Sequence, residues 1–274
     1  MRAILAIDQR QNCDVPVAHA IAWAARFGAS LDLVTVSEDS GDSDHRDASF
    51  LTQETERRES ALQGDLGRYL EAVPTPMRGD VHVLRGRVAP ALIEFSAKWD
   101  LLVLATHGRQ GLSRLFAGSV AESTIRSVSC PVLVTRTDGE PVPLDGPLKI
   151  VLPIDSEQPI SDGIRTANSL LGPEHDYRAL YAMPDIAAID DMYGSWCEQR
   201  MGAATAAGGL PNIPRIVRAY RGNPGDDVAN FAREIQAQLI VMPTHTRTAI
   251  GRLAFGSVAE RVIRVAPCPV LVTR

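Results

Sequence analysis

The sequence has no apolar run long enough to cross a bilayer, and its N-terminus offers only a short apolar stretch before Asp8. We interpret that stretch as a first β-strand rather than a signal peptide. The sequence also lacks an excess of positive charge, because its formal net charge is -5. Affinity for a phosphate backbone needs a concentrated basic surface. We therefore expect neither a membrane nor a nucleic acid as a partner.

Signatures of metal binding and of common catalytic machinery are missing too. The four cysteines lie far apart, without CxxC spacing or a nearby histidine pair that would indicate zinc. This usage is typical of a reducing cytoplasm, which is the location we expect. No Ser-His-Asp or paired-carboxylate arrangement stands out, and the lysine of a Walker-type phosphate loop is absent. Efficient phosphoryl transfer therefore lacks its usual charge.

What the sequence does contain is an internal repeat. Residues 114–136 read RLFAGSVAESTIRSVSCPVLVTR, and residues 252–274 read RLAFGSVAERVIRVAPCPVLVTR. The similarity weakens upstream but persists where residues 4–8 (ILAID) correspond to residues 151–155 (VLPID). With 274 residues, the chain is long enough for two compact domains. The sequence therefore predicts duplication of a whole domain.

The boundary between the copies is predicted in the segment TDGEPVPLDGPL, which is rich in proline, glycine and acidic residues. Such a segment has no periodic apolar face and is typical of an interdomain linker. We expect a first domain at residues 1–137, a linker at 138–148 and a second domain at 149–274.

In the first copy, short apolar runs alternate with longer segments of helical period, which is the pattern of βαβ units around a parallel sheet. A helix is predicted at 15–27, ending at Gly28, and a charged helix from about Phe50 to Val73 after a polar loop. The predicted fold class is α/β, with two tandem Rossmann-like domains, each a five-stranded parallel sheet with helices on both faces. The strands predicted in the first domain are 2–7, 31–36, 80–84, 101–105 and 132–135.

A glycine-bearing loop follows the fourth predicted strand. It runs from Ala105 through Gly108 to Gly118 and Ser119, where a helix is expected to begin. Backbone N–H groups in such a loop can surround an anion, and the helix dipole adds to the attraction. Phosphate is the anion that we expect there.

This loop resembles the phosphate loop of the universal stress protein family, whose nucleotide-binding members carry Gly-x2-Gly-x9-Gly-Ser/Thr at this place. The likeness extends over both halves of the chain and includes the final CPVLVTR strand. It implies ATP or another adenine nucleotide, with magnesium as a further expectation, an aspartate near adenine and ribose, and a second-strand residue beside the base. By position, the implied nucleotide-binding residues are Asp8, Val36, Ala105, His107, Gly108, Arg109, Gly118, Ser119 and Val120.

The two copies depart from the family pattern to different degrees. In the first copy, Ala105 replaces the first glycine and adds one methyl group. In the second copy the corresponding residues are Pro243 and Thr246, and only Gly256 and Ser257 are retained. Proline removes a backbone donor, and threonine disfavours a positive φ. We expect the second loop to be degenerate and the first domain to bind the nucleotide.

Several of these residues have structural explanations that compete with ligand binding. Ser119 with Glu122, and Ser257 with Glu260, match capping boxes at helix starts. Asp8 suits ribose or magnesium, yet an acid just after a strand also caps the following turn, and the same applies to the corresponding acid of the second copy.

Two other groups of residues keep two interpretations. His107 and His245, beside Arg109 and Arg247, either serve a ligand, by contacting phosphate or acting in proton transfer, or only hydrogen-bond their neighbours within the loop. An apolar group in the second copy either packs in the core or lines a site for an apolar ligand or partner. That group is Met192, Tyr193, Trp196 and Cys197.

The function that we expect is a stress-response protein that binds an adenine nucleotide in its first domain, with a structural or regulatory second domain. A protein of interaction or dimerisation that binds no nucleotide is one alternative, and a slow nucleotide hydrolase is another. Because a bare apolar edge strand would aggregate, we expect residues 132–135 and 270–273 to pair with each other or with a second chain. We accordingly predict domain pairing within the chain and a homodimer through these final strands.

Overall fold

The computed structural model describes residues 1–38, 48–106, 120–136, 141, 143–154, 160–184, 191–220, 222–243 and 256–273. Within these ranges the strands are β1 (Arg2–Ala6), β2 (Ser30–Ser37), β3 (Arg78–Arg85), β4 (Leu101–Thr106), β5 (Val132–Arg136), β6 (Lys149–Pro153), β7 (Asp176–Pro184), β8 (Arg215–Tyr220), β9 (Leu239–Pro243) and β10 (Val270–Thr273). The helices are α1 (Asp14–Arg26), α2 (Ala48–Glu71), α3 (Val88–Ser96), α4 (Val120–Ser127), α5 (Ser161–Leu171), α6 (Asp191–Ala207), α7 (Pro224–Glu234) and α8 (Ser257–Val265).

These strands form one continuous sheet in the order β3-β2-β1-β4-β5-β10-β9-β6-β7-β8. Neighbouring strands are parallel except at the centre, where β5 and β10 are antiparallel and Leu133 lies opposite Leu271. The sheet therefore consists of two five-stranded parallel halves joined edge to edge, which confirms the predicted α/β fold of two tandem Rossmann-like units.

The central pairing also bears on the predicted assembly. Each final strand has both edges occupied within the chain, since β5 pairs with β4 and β10, and β10 pairs with β9 and β5. The expected pairing of the two final strands with each other is thus present. The homodimer stays a prediction, and on these strands it would require an exchange of partners.

Helix α1 shows how the sequence pattern produces an element. Its buried side chains include Val17, Ala20 and Trp23, which share one helical face directed at the sheet. Gly28 follows the helix with φ +61°, a left-handed conformation that glycine adopts without a steric penalty. The helix predicted at 15–27 is therefore present at Asp14–Arg26.

The core lies in two layers, one on each face of the sheet. Alternation along β1 sends Ala3 and Leu5 into the first layer and Ile4 into the second. The first layer is covered by α1, α2, α5 and α6, whereas α3, α4, α7 and α8 cover the second. None of the helices in the described ranges is long and apolar enough to span a membrane.

The capping box predicted at Ser257 is wrong. The N-cap of α8 is Gly256, and no side chain caps the helix. Because the Glu260 N–H already donates to the Gly256 carbonyl at 3.1 Å, Ser257 lies one residue inside the helix. Glu260 instead accepts a hydrogen bond from Arg264 Nη2 at 3.0 Å. The matching box at Ser119 lies outside the described residues.

Candidate functional site

The carboxyl ends of β1, β2 and β4 meet at one edge of the first half of the sheet. Ala6 at the end of β1 lies between Val34 of β2 and Leu104 of β4. The chain runs from β1 outward through β2 and β3 and then returns to β4 on the other side of β1. This is a switch point of an open α/β sheet, where ligands bind beyond the carboxyl ends of the strands.

Asp8 lies two residues beyond β1 at this edge, and its side chain is exposed. Oδ1 accepts a hydrogen bond from the Arg10 backbone N–H at 3.1 Å, and Oδ2 accepts one from Gln11 Nε2 at 3.2 Å. Asp8 therefore caps the turn, as one interpretation of the sequence expected. A carboxylate offers about four lone-pair positions, so each oxygen can still accept a hydrogen bond from a ligand.

The buried thiol of Cys13 also contacts the turn after Asp8. Cys13 Sγ lies 3.3 Å from the Asp8 carbonyl oxygen and 3.4 Å from that of Gln11. Burial, followed by the nearby charges of Asp8 and Asp14, raises the pKa of Cys13 to about 11. The thiol therefore stays protonated at neutral pH and can donate a hydrogen bond to these carbonyl oxygens.

Apolar side chains form a wall at the same edge of the sheet as Asp8. Val36 on β2 lies opposite Leu84 on β3, and both are half-buried against the second core layer, as are Ala6 and Val88. A half-exposed apolar surface of this kind suits one face of a purine ring. The sequence pointed to Val36 alone; Leu84 and Val88 were missed because they are distant in sequence and carry no motif.

Of the remaining predicted binding residues, the structure describes Ala105 and Val120. Ala105 is half-buried at the end of β4, and Val120, the first residue of α4, is 43% exposed. The segment between β4 and α4 holds five predicted phosphate-loop residues, and all five lie outside the described residues. They are His107, Gly108, Arg109, Gly118 and Ser119.

The corresponding edge of the second half is built differently. Pro153, Pro184 and Pro243 are the last residues of β6, β7 and β9. Proline has no backbone N–H, so three strand ends lack a donor that could bind a phosphate. The sequence comparison identified Pro243 alone. Asp155, His245, Thr246 and Arg247 lie outside the described residues.

In the apolar group of the second half, some side chains lie in the core and others at the surface. Cys197 is fully buried, and the Tyr193 hydroxyl lies 3.2 Å from that of Tyr181 on β7. Trp196 stacks on Tyr193 with a centroid distance of 5.5 Å but remains 39% exposed. The core interpretation therefore holds for Cys197 and fails for Trp196. The Met192 side chain lies outside the described residues.

An open cleft of about 630 Å³ lies away from the edge that carries Asp8, between α5 and the segments that precede β4 and β5. Its charged groups already have partners: Arg165 Nη1 donates to Asp162 at 2.5 Å, and Asp100 accepts from the Arg2 backbone N–H at 2.7 Å. Within the described ranges, no group of three or more His, Cys, Asp or Glu side chains is arranged to hold a metal ion.

Comparison with known proteins gives the family context. The model of the universal stress protein family matches residues 1–136 and 171–274. A universal stress protein of Mycobacterium tuberculosis is 28% identical over 200 residues, covering 68% of this chain and 65% of that protein. One from Mycolicibacterium smegmatis is 30% identical over 198 residues, covering 68% of this chain and 66% of that protein. The matched region thus spans just under two thirds of either relative.

Among solved structures, a universal stress protein from Archaeoglobus fulgidus has a similar fold. Its TM-score to this chain is 0.66 at 17% identity, and the alignment covers 100% of this chain and 96% of that chain. At this identity the comparison supports the tandem fold and carries no information on ligands.

Proposed function

The chain belongs to the universal stress protein family, and from that premise we propose that residues 1–137 bind an adenine nucleotide such as ATP in the cytoplasm. Residues 149–274 form a second domain with a structural or regulatory role. The observation that carries the proposal is that an exposed carboxylate, Asp8, and the apolar wall at Val36 lie at the same switch point of the sheet.

The two features suit the two parts of a nucleoside. A carboxylate accepts hydrogen bonds from ribose hydroxyls or an exocyclic amine, which is the role that the family resemblance implies for Asp8. The apolar surface of Val36 and Leu84 removes a purine face from water, and purine burial of this kind is a common source of affinity.

The phosphate part of the proposal rests on the sequence. The glycine-bearing segment begins at the end of β4, next to β1, and ends where α4 begins. A nucleotide whose base lies on the wall at Val36 would direct its phosphates toward this segment. Magnesium, if required, would enter with the phosphates.

The second domain fits a different role. Its strand ends at Pro153, Pro184 and Pro243 supply no N–H donors. We therefore propose one nucleotide per chain, bound to the first domain.

Isothermal titration with ATP, with and without magnesium, tests the proposal. We expect one site per chain, lost in Gly118→Leu and kept in Gly256→Leu. Gly256 is a matched control because a Cβ there meets no atom within 4 Å and φ is -68°. Two equal sites, or binding that survives in Gly118→Leu, would contradict the asymmetric model. Absence of binding would favour an interaction protein, and measurable phosphate release would favour a hydrolase.

A further inference from the structure

Helix α2 contacts the turn that carries Asp8 at two points. Gln9 Nε2 donates to the Leu62 carbonyl oxygen at 2.9 Å, and the Cys13 backbone N–H donates to the Tyr69 hydroxyl at 3.3 Å. Leu62 and Tyr69 lie two turns apart on α2 and thus present two anchor points on one side of the helix. The turn is therefore fixed to α2 at its beginning and at its end.

Both hydrogen bonds hold residues that are directly linked to Asp8. Gln9 is the next residue in the chain, so its amide fixes the peptide that leaves Asp8. Cys13 is linked back through its thiol, which lies 3.3 Å from the Asp8 carbonyl oxygen. A displacement of α2 would therefore move the Asp8 backbone.

The same helix also contacts the chain at the ends of β2 and β3. Arg58 Nη1 donates to the Glu38 carbonyl oxygen, one residue after β2, at 3.1 Å. Arg85, the last residue of β3, donates from Nη2 to Glu59 Oε2 at 2.6 Å. One rigid helix thus connects the segments that follow β1 and β2 and the end of β3, which together border the apolar wall.

Packing gives this helix a defined position. Leu66 is fully buried in the first core layer, and Tyr69 and Leu70 pack against that layer. Because protein interiors are close-packed, the buried side of α2 cannot shift without disturbing the core. Because core packing fixes the position of α2, the hydrogen bonds of Gln9 and Tyr69 to and from this helix also fix the position of the turn that carries Asp8.

We infer that Gln9 and Tyr69 are positioning residues through which α2 sets the place of the Asp8 carboxylate, and with it the selectivity of the site for the ribose of the nucleotide. This inference rests on the proposed nucleotide binding in the first domain. By thermodynamic linkage, a nucleotide that binds better when α2 is docked must also stabilise the docking of α2.

Tyr69→Phe is the principal test, because it removes the hydroxyl and keeps the ring. Tyr177→Phe is the matched control, since the Tyr177 hydroxyl is a buried donor to the Gly172 carbonyl at 2.9 Å in the second half of the chain. Titration with ATP and with 2′-deoxy-ATP gives two dissociation constants for each variant of the full chain.

We expect Tyr69→Phe to raise the dissociation constant for ATP by about five-fold, the effect of one ordinary hydrogen bond. The ratio of the 2′-deoxy-ATP constant to the ATP constant should fall toward one, because a misplaced carboxylate no longer favours the ribose hydroxyl. Tyr177→Phe should change neither quantity. Gln9→Ala leaves the buried side chains of α2 unchanged. It should therefore reproduce the effect of Tyr69→Phe on affinity and ratio, even if the Tyr69→Phe protein folds poorly.

The outcomes separate the inference from the proposed function. If the wild-type chain binds no ATP, the proposed function fails. If it binds ATP and Asp8→Asn weakens binding, but Tyr69→Phe and Gln9→Ala leave affinity and ratio unchanged, the positioning role is wrong. The positioning role is also wrong if these variants bind ATP and 2′-deoxy-ATP more weakly by the same factor. As a second readout, ATP should slow hydrogen exchange of α2 amides in the wild type and less so in Gln9→Ala.

Discussion

At the scale of single residues, the buried carboxylate of Asp32 shows how tightly one side chain can constrain another. Asp32 on β2 is 2% exposed and accepts a hydrogen bond from His82 Nε2 on β3 at 2.8 Å. Arg2 Nη2 lies 3.9 Å from the same oxygen, and its guanidinium lies 4.0 Å from the centre of the Trp99 ring. A buried charge of this kind is tolerated only while its partners stay in place.

We predict that Gly79→Ala lowers the free energy of unfolding by about 3 kcal/mol. A Cβ at Gly79 would lie 2.0 Å from Asp32 Oδ1 and 3.0 Å from the Leu31 carbonyl oxygen, so it would displace the carboxylate from His82. Urea denaturation measures the change. Gly64→Ala is the control: Gly64 lies in α2 with no atom within 4 Å of an added Cβ. That variant should be more stable by about 0.5–1 kcal/mol, and a Gly79→Ala protein as stable as the wild type would refute the account.

The sequence predicted that Asp8 could cap the turn after β1, and the structure shows this cap, because an acid just after a strand carries its own signal. The role of Asp8 in ligand binding stays a prediction. Asp32 with His82 and Gln9 with Leu62 were not predicted, because each pair lies about 50 residues apart and neither member belongs to a motif. Only the register of β2 against β3, and the packing of α2, bring these groups together.

At the scale of elements, helix α7 illustrates a start that one side chain determines. Asn223 is the N-cap, and its Oδ1 accepts a hydrogen bond from the Gly225 N–H at 2.8 Å. Pro224 occupies the first helical position, where its missing N–H costs nothing. The acidic residues of the first turn, Asp226 and Asp227, complement the positive end of the helix dipole.

We predict that Asn223→Ala lowers the free energy of unfolding by about 1 kcal/mol, because the Gly225 N–H loses its acceptor. Asn223→Asp keeps an acceptor at the same place and should stay close to the wild-type value. Thermal unfolding followed by circular dichroism compares the three proteins. Equal stability of the alanine and aspartate variants would show that the cap contributes nothing.

The contrast between α7 and α8 explains why helix starts were harder to predict than helices. The apolar period of a helix involves many residues, so errors at one position matter little. A start depends on the backbone conformation of one residue, and at α8 the extended Gly256, with φ -68° and ψ 155°, takes the N-cap position from Ser257. The motif was present in the sequence, but the backbone that would use it was displaced by one residue.

At the scale of the whole molecule, the two halves meet at a contact between a guanidinium and a histidine. Arg26 Nη2 on α1 lies 2.9 Å from His175 Nε2 and donates to the Gly146 carbonyl oxygen at 3.2 Å. A guanidinium can only donate, so His175 must be neutral to accept. Burial, and after it the charge of Arg26, lowers the pKa of His175, although contacts with Glu174 and Leu171 oppose the shift.

We predict that this contact is lost as the pH falls. The pKa of His175 is lower in the folded chain than the value of about 6.5 for an unfolded one, so the unfolded chain takes up the proton first. The contribution of the histidine to stability is therefore complete above pH 6.5 and declines below it. Urea denaturation at several pH values should show a steeper acid decline for the wild type than for His175→Gln. Parallel curves would exclude the contact as a source of pH dependence.

The repeat and the alternation of elements predicted two five-stranded parallel units, and the two halves of the sheet show them. The joining of the halves was left open between a partner strand in the chain and one in a second chain, because the final strands are identical in sequence. Loop closure within one chain favours the internal partner, since the effective concentration of a linked strand is high. Sequence identity alone cannot distinguish these cases.

Residues 1–137, expressed alone, should form a dimer. In the full chain, Val132, Leu133 and Val134 of β5 pair antiparallel with Val272, Leu271 and Val270 of β10. Since both strands read Val-Leu-Val, a second β5 can occupy the place of β10 in the same register, with Leu133 on the two-fold axis. Sedimentation equilibrium measures the mass, and adding residues 138–274 should convert the dimer into a one-to-one complex. A monodisperse monomer of residues 1–137, stable at micromolar concentration, would show that the β5 edge does not need a partner.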